Sequence, residues 1–284
     1  MQQQHKQDDP IQRRNDGDTA HRESVGQHVE ADAARFVEEA QEEVAVTQRP
    51  WYQTRKWGVT LLFVYAVLLV LFGILAWVVY FHPVLAIDVT ITHLFQENQS
   101  PWLRTTMLAV SAIGDIQLLS AGLVVLAALI FWLLDLRLEA IMIVAVSVTS
   151  WILDALIKSL VARPRPTSQL VDIISAATGN SFPSGHVMSY VAFWGLLFSF
   201  GLILFKGHSW WRIILLIISG LLVVLIGPSR VYLGAHWTSD VLGAYLLGGV
   251  CLGIWLWIYL YLKGRGILAP KPGRTTYLRK YIRK

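Results

Sequence analysis

Three short polar segments interrupt a chain otherwise dominated by apolar runs, and each carries residues able to do chemistry. KSLVARPRP (158–166) supplies Lys158, Arg163 and Arg165; FPSGH (182–186) supplies Ser184, Gly185 and His186; SRVYLGAHWTSD (229–240) supplies Arg230, His236 and Asp240. In the first, two X-Pro steps break helix and stiffen the backbone around three cations. Basic side chains at a helix end can also do no more than anchor it at a membrane surface. In the second, Pro183 and Ser184 precede an apolar run, so the N–H groups of Ser184, Gly185 and His186 are expected at a helix start. There they lack helical partners and favour an anion. Gly185 permits close backbone approach, Ser184 adds a hydroxyl donor, and His186 can donate a proton near neutral pH. An ordinary N-cap beside a bystander histidine would look the same in isolation. In the third, His236 and Asp240 are four apart, which on a helix puts them on one face, so a carboxylate can orient the imidazole. Arg230 reaches the same pocket if the intervening residues turn. A capping Asp and an interfacial His are the plainer reading of that segment.

The elements that must position these groups are membrane spans. Of 284 residues 55% are hydrophobic and 15% charged, with a mean hydropathy of +0.50, whereas a soluble chain sits nearer a quarter charged. Several windows approach the roughly 20 residues that cross a bilayer as helix. The fold class is therefore all-α, a polytopic membrane protein with a six-helix bundle. The spans are expected at about Gly58–Phe81, Ile116–Leu134, Ala140–Ile157, His186–Phe205, Ile213–Gly227 and Val241–Leu262, with a helix over 101–115 lying partly in the interface. Six spans put both termini on one side. Arg55, Lys56, Arg137, Lys206, Arg212 and the C-terminal cations share it, which makes that side cytoplasmic. The loops 82–115, 158–185 and 228–240 then meet on the outer face. Cations there oppose the positive-inside preference, and an anionic ligand supplies a reason for them. Asp154, one turn before Lys158, is expected to pair with it.

The flanks read differently. Residues 1–50 hold 11 acidic and 6 basic residues and are expected to be largely disordered and cytoplasmic, with a short amphipathic helix conceivable over 28–46. Residues 51–262 form the membrane domain. Residues 263–284 carry eight cations and no acid; beside a span, such a tail points to anionic lipid headgroups rather than nucleic acid. Cys251 is the single cysteine, so no intrachain disulfide or cysteine metal cluster is expected. The polar N-terminal 50 residues lack a signal-peptide core, which leaves the first span as the targeting signal.

Taken together, the outer rim offers Lys158, Arg165, Arg230 and a helix N-terminus to an anion, His236–Asp240 as an oriented nucleophile or base, and His186 as a second imidazole. Carboxylates are scarce and no metal-ligand spacing appears, so no cofactor or metal is implied. Cations and backbone dipoles can stabilise a transferring phosphoryl group unaided, and histidine can act as a covalent nucleophile.

The three segments together resemble the signature of the type 2 phosphatidic acid phosphatase superfamily: K-x6-RP in Lys158 and Arg165-Pro166, PSGH in 183–186, and SR-x5-H-x3-D in Ser229-Arg230, His236 and Asp240. The resemblance covers about residues 58–262. It implies that His236 attacks phosphorus to give a phosphohistidine, that Asp240 polarises it, and that His186 protonates the leaving group. It also implies that Lys158, Arg165, Ser184, the Gly185 amide and Arg230 bind the phosphoryl oxygens. The implied substrates are membrane lipid phosphates and diphosphates, including phosphatidate, phosphatidylglycerol phosphate and isoprenyl diphosphates. A lipid-linked phosphotransferase, or a non-catalytic protein or transporter binding anionic lipid, is the alternative. Nothing in the sequence sets the oligomeric state.

Overall fold

The computed structural model describes residues 55–204 and 210–268. The acidic segment 1–50, its possible helix over 28–46, Lys206 and the tail beyond residue 268 lie outside the described residues. The chain divides into two compact units, 1–60 and 61–284. Of the first, only residues 55–60 are described, as the opening of a helix; the architecture below is that of the second.

Every regular element among the described residues is an α-helix: α1 (Arg55–Phe81), α2 (Ala86–Gln96), α3 (Pro101–Asp115), α4 (Gln117–Leu133), α5 (Arg137–Val161), α6 (Gly185–Ile203), α7 (Trp210–Tyr232) and α8 (Thr238–Gly264). Helices α1, α5, α6, α7 and α8 are long and apolar enough to cross a membrane. The pair α3 and α4, bent by 70°, makes a sixth span if read as one. The protein is a polytopic all-α membrane protein with up to six such spans. Its outward faces carry large apolar side chains such as Leu62, Phe63 and Val70, as a lipid-facing surface requires.

Helix α6 is apolar all round and is the most buried span; it packs against α5, α7 and α8. One core cluster surrounds its first half, where Val187, Met188 and Val191 meet Phe182, Ile226 and Ala244. A second surrounds its other half, where Leu196 and Phe200 meet Phe131, Ile143 and Tyr259. At that second end Lys263 Nζ lies 3.2 Å from Glu139 Oε1, so the end of α8 and the start of α5 meet about 36 Å along α5 from its other terminus, given 1.5 Å per residue.

The helices overrun several expected boundaries. Helix α5 continues to Val161, so Lys158 sits in its last turn and not in the loop. Ala162 then caps it in the left-handed region at φ 50°, with Pro164 following. Helix α7 runs through Pro228 to Tyr232, past the expected end at Gly227. Proline removes the N–H that would bond four residues back. Tyr245 Oη fills this gap: it donates to the carbonyls of Val223 (2.7 Å) and Val224 (3.3 Å) and accepts from the Gly227 N–H (3.2 Å). A neighbouring helix thus re-satisfies the broken ladder, and α7 delivers Arg230 in its last turn. Helix α8 begins at Thr238 rather than Val241.

Candidate active site

The three polar segments converge at one end of the bundle. Lys158, in the last turn of α5, is held by both oxygens of Asp154 at 2.6 and 2.7 Å, the expected pair one turn apart. Asn180 caps that turn by donating to the Lys158 carbonyl at 2.8 Å. Helix α6 opens at Gly185 with Ser184 as its N-cap, after a cis Phe182–Pro183 bond. A Cβ on Gly185 would lie 2.8 Å from Asp154 Oδ2 and 3.0 Å from Lys158 Nζ, so the absent side chain lets the helix start meet this pair. Of the three N–H groups expected to be free there, that of Ser184 is taken by the Asp240 carbonyl at 3.2 Å. Those of Gly185 and His186 have no residue four back within the helix.

His236 is not on a helix, contrary to the face-sharing expected of positions 236 and 240. It sits in the turn between α7 and α8, after Gly234, whose φ is +66°. Both Ala235 and His236 donate backbone N–H groups to the Arg230 carbonyl, the turn that brings Arg230 and His236 together. Asp240 is the third residue of α8, and its Oδ2 accepts the Trp237 N–H at 2.9 Å, a carboxylate reaching back to the N-cap amide. The spacing of four still brings the side chains together, through the cap: His236 Nδ1 lies 3.5 Å from Asp240 Oδ2, a charge contact longer than a good hydrogen bond. Ser181 Oγ donates to the same Asp240 oxygen and lies 3.4 Å from His236 Nδ1.

On the other ring nitrogen, Arg165 Nη1 is 3.0 Å from His236 Nε2. A guanidinium only donates, so Nε2 is the acceptor and these partners assign the proton to Nδ1, facing Asp240. Burial, reinforced by Arg165 and Arg230, lowers the His236 pKa from 6.5 to about 3, although Asp240 opposes this. The imidazole is therefore neutral at physiological pH with its lone pair on Nε2. Arg165 rests on carbonyls, its Nη1 on Ala235 (2.8 Å) and its Nε on Thr178 and Gly179 (3.1 Å each). Burial and the neighbouring Arg230 lower its pKa, from a value so high that it stays charged.

His186 is arranged differently. Its Nε2 lies 2.8 Å from Asp115 Oδ1, and a Cβ on Gly114 would fall 2.4 Å from its Cδ2. The Cδ2–Nε2 edge is thus packed against the end of α3. Asp115 Oδ1 also accepts from Arg230 Nη1 at 3.0 Å and its Oδ2 from Ser111 Oγ at 2.9 Å; Arg230 Nη1 donates to Ser111 Oγ as well. Ser184 Oγ and Arg230 Nε are buried donors that no protein group accepts from. Such groups cost about 1–3 kcal/mol each, and both belong to the segments that bracket the imidazoles.

The sequence reading missed Asp115 and Ser111, which hold Arg230, and Ser181, which holds Asp240. It named Arg163 as a rim cation or anion ligand, and the structure corrects this. The Arg163 side chain is fully buried between Asp88 (Nη2 to Oδ2, 2.8 Å) and Asp240 (Nη1 to Oδ1, 2.6 Å).

The polytopic helical bundle gathers cations and two imidazoles at one end, an arrangement suited to binding an anion and to acid–base or nucleophilic chemistry on it. Residues 136–264 match the family described as the PAP2 superfamily. Over that stretch the chain resembles that superfamily. It is 29% identical over 181 residues to phosphatidylglycerophosphatase B of Bacillus subtilis (strain 168), covering 64% of this chain and 87% of the relative. It is 29% identical over 163 residues to YbjG of Escherichia coli (strain K12), provisionally named an undecaprenyl-diphosphatase, covering 55% and 73%. The crystal structure of a transmembrane PAP2-type phosphatidylglycerolphosphate phosphatase from Bacillus subtilis superposes with a TM-score of 0.59 at 26% identity, over 68% of this chain and 94% of that one.

Proposed function

We propose that the chain hydrolyses a membrane lipid phosphate or diphosphate through a phosphohistidine at His236, without a metal. The observation that carries this is the geometry around His236: Nδ1 lies 3.5 Å from Asp240 Oδ2 and Nε2 lies 3.0 Å from Arg165 Nη1, where the three polar segments converge. In the first step Nε2 attacks the terminal phosphorus as its bond to the leaving oxygen breaks, the lipid's ester oxygen in a monophosphate or the bridging oxygen in a diphosphate, and His186 delivers a proton to that oxygen. The positive charge that develops on the imidazole is met by Asp240. In the second step His186 takes a proton from water, whose oxygen attacks phosphorus and releases inorganic phosphate with His236 restored. Lys158, Arg165, Arg230, the Ser184 hydroxyl and the Gly185 amide bind the phosphoryl oxygens. The buried, unaccepted donors of Ser184 and Arg230 support that assignment.

The catalytic unit is residues 51–262, and its site faces the outer side with both termini cytoplasmic. Supporting this orientation, Arg137 and Lys263 belong to the helix ends opposite the site, where positive charge is retained in the cytoplasm. The basic tail then lies against anionic headgroups of the inner leaflet. Phosphatidylglycerol phosphate and isoprenyl diphosphates, the substrates in the relatives' names, and phosphatidate are the compounds to compare.

The test is phosphate release from these lipids in detergent with EDTA present, comparing wild type with His236→Ala, and with acid-quenched and alkali-quenched samples of labelled enzyme. Release in EDTA that His236→Ala abolishes, with label retained in alkali and lost in acid, is the expected result. Release that EDTA stops, or that survives His236→Ala, overturns the mechanism.

A further inference from the structure

Behind the nucleophile lies a second, wholly buried polar cluster that the reaction as written does not use. Arg163 bridges Asp88 and Asp240, and its Nη1 also donates to Ser239 Oγ at 2.7 Å and its Nε to the Pro83 carbonyl at 2.8 Å. Asp88 accepts the Ser239 N–H (Oδ1, 2.8 Å) and hydroxyl (Oδ2, 2.5 Å). Asp88, Arg163 and Asp240 are all at most 1% exposed. Asp88 stands on α2, outside the residues that match the family. That helix turns a polar stripe inward, Asp88, Thr92 and Gln96, and leaves Ile87 and Leu94 exposed. Gln96 fastens it by donating to the carbonyls of Asp172 (2.7 Å) and Tyr232 (2.9 Å).

We infer that Asp88 and Arg163 are positioning residues of the phosphoryl transfer, with Asp88 supplying the negative charge that lets a buried guanidinium clamp Asp240 without cancelling it. The inference rests on His236 being the nucleophile. When Nε2 bonds to phosphorus the ring becomes cationic and needs a net negative neighbour in a region that excludes water. Asp240 meets that need only if its charge is not consumed. Arg163 holds Asp240 Oδ1 at 2.6 Å, and alone the two would form a neutral pair. Asp88 on the other side of the guanidinium returns the three residues to a net charge of −1. Removing one carboxylate leaves a neutral cluster and a cationic intermediate without its counter-charge.

The experiment compares kcat and KM for phosphate release from dioctanoyl phosphatidate and farnesyl diphosphate by detergent-purified full-length wild type, Asp88→Asn and the double variant Asp88→Asn/Arg163→Gln. Asp88→Asn is expected to lower kcat by about 100-fold, the size of a lost preorganised electrostatic contribution, with KM changed less than about threefold, since no phosphate ligand moves. The double variant restores the net charge of −1 and is expected to recover at least about tenfold in kcat over Asp88→Asn, a rescue that a purely structural role would not give. Wild-type kcat in Asp88→Asn, a loss confined to KM, or a double variant no faster than the single one overturns the inference. If Asp88→Asn does not fold, the double variant decides alone: it must fold and keep at least about a tenth of wild-type kcat. His236→Ala, measured alongside, separates the two failures. If it is inactive while Asp88→Asn matches wild type, only this inference falls; if it is as active as wild type, the phosphohistidine falls first.

Discussion

Replacing His236 with glutamine and unfolding both proteins across a pH series tests whether the proposed nucleophile is held neutral. The folded imidazole has its pKa depressed to about 3 by burial, against 6.5 when exposed. Below 6.5 the unfolded chain takes up a proton that the folded chain refuses, so the unfolded state binds more protons and stability falls with falling pH. The stability contributed by His236 is complete above 6.5 and is lost progressively between 6.5 and 3. At about 1.4 kcal/mol per pH unit, 1.5 units of acidification to pH 5 cost about 2 kcal/mol, while near pH 7.5 the effect is close to zero. Because the folded imidazole is still neutral at pH 5, that figure is set by the unfolded imidazole alone. Urea unfolding in detergent at pH 7.5 and pH 5, read by tryptophan fluorescence, should show wild type losing about 2 kcal/mol more than His236→Gln over this interval. The same neutrality predicts that the acid limb of kcat/KM does not report His236. Parallel losses in the two proteins would refute the reasoning, because His236 would then take up a proton in the folded state as readily as in the unfolded one, and burial would not be what keeps it neutral.

Two further substitutions separate site from scaffold. Ser184→Ala removes a fully buried hydroxyl that no protein group accepts from; kcat/KM should fall by about 10- to 100-fold while stability is unchanged or rises by up to about 1 kcal/mol, and a loss of stability equal to the loss of activity would count against a substrate-binding role. Gly234→Ala places a Cβ 2.1 Å from the Asp172 carbonyl oxygen at φ +66°; the left-handed backbone alone costs about 1 kcal/mol, the overlap forces the loop away, and both Tm and phosphate release should drop, whereas wild-type values for both would show that the turn holding His236 adapts freely.

What could be read in advance follows the distance over which each contact is made. Lys158 and Asp154 are neighbours on one helix, and the pairing of His236 with Asp240 survives although the helix assumed for it does not exist, because a cap also brings residues four apart together. The helix start at Gly185 was legible from Pro183 and Ser184, since local sterics and capping decide it. The contacts that spacing could not reveal are the long-range ones: Arg230 with Asp115, Arg163 with Asp88, Asp240 with Ser181. Each joins residues at least 59 positions apart, and no periodicity encodes such a pairing. A signal was nevertheless present. Asp88 and Asp115 stand in stretches such as AIDVTI and SAIGDI, and a carboxylate among apolar residues beside a membrane demands a partner. The long reach of α7 was hidden for a different reason: Pro228 reads as a helix end unless the hydroxyl of Tyr245, 17 positions on, is known to fill the gap.

The distribution of partners among the four cations also says how binding and attack are linked. Lys158 is paired with Asp154, Arg230 with Asp115, and Arg163 with Asp88 and Asp240. Among the described residues, Arg165 has no carboxylate within ion-pair distance; it lies on three carbonyls and on the lone pair of His236. Of the four it is therefore the one whose charge is least compensated and whose move toward a phosphoryl group breaks no ion pair. That move also uncovers Nε2. In the proposed reaction, an arriving phosphate would draw off the very donor that occupies the nucleophile, so that binding the anion and exposing the attacking lone pair become one event. A neutral lipid headgroup offers Arg165 no reason to leave, and His236 stays covered. Selection for a phosphoryl group is then exercised at the nucleophile itself, ahead of any contact with the lipid tail.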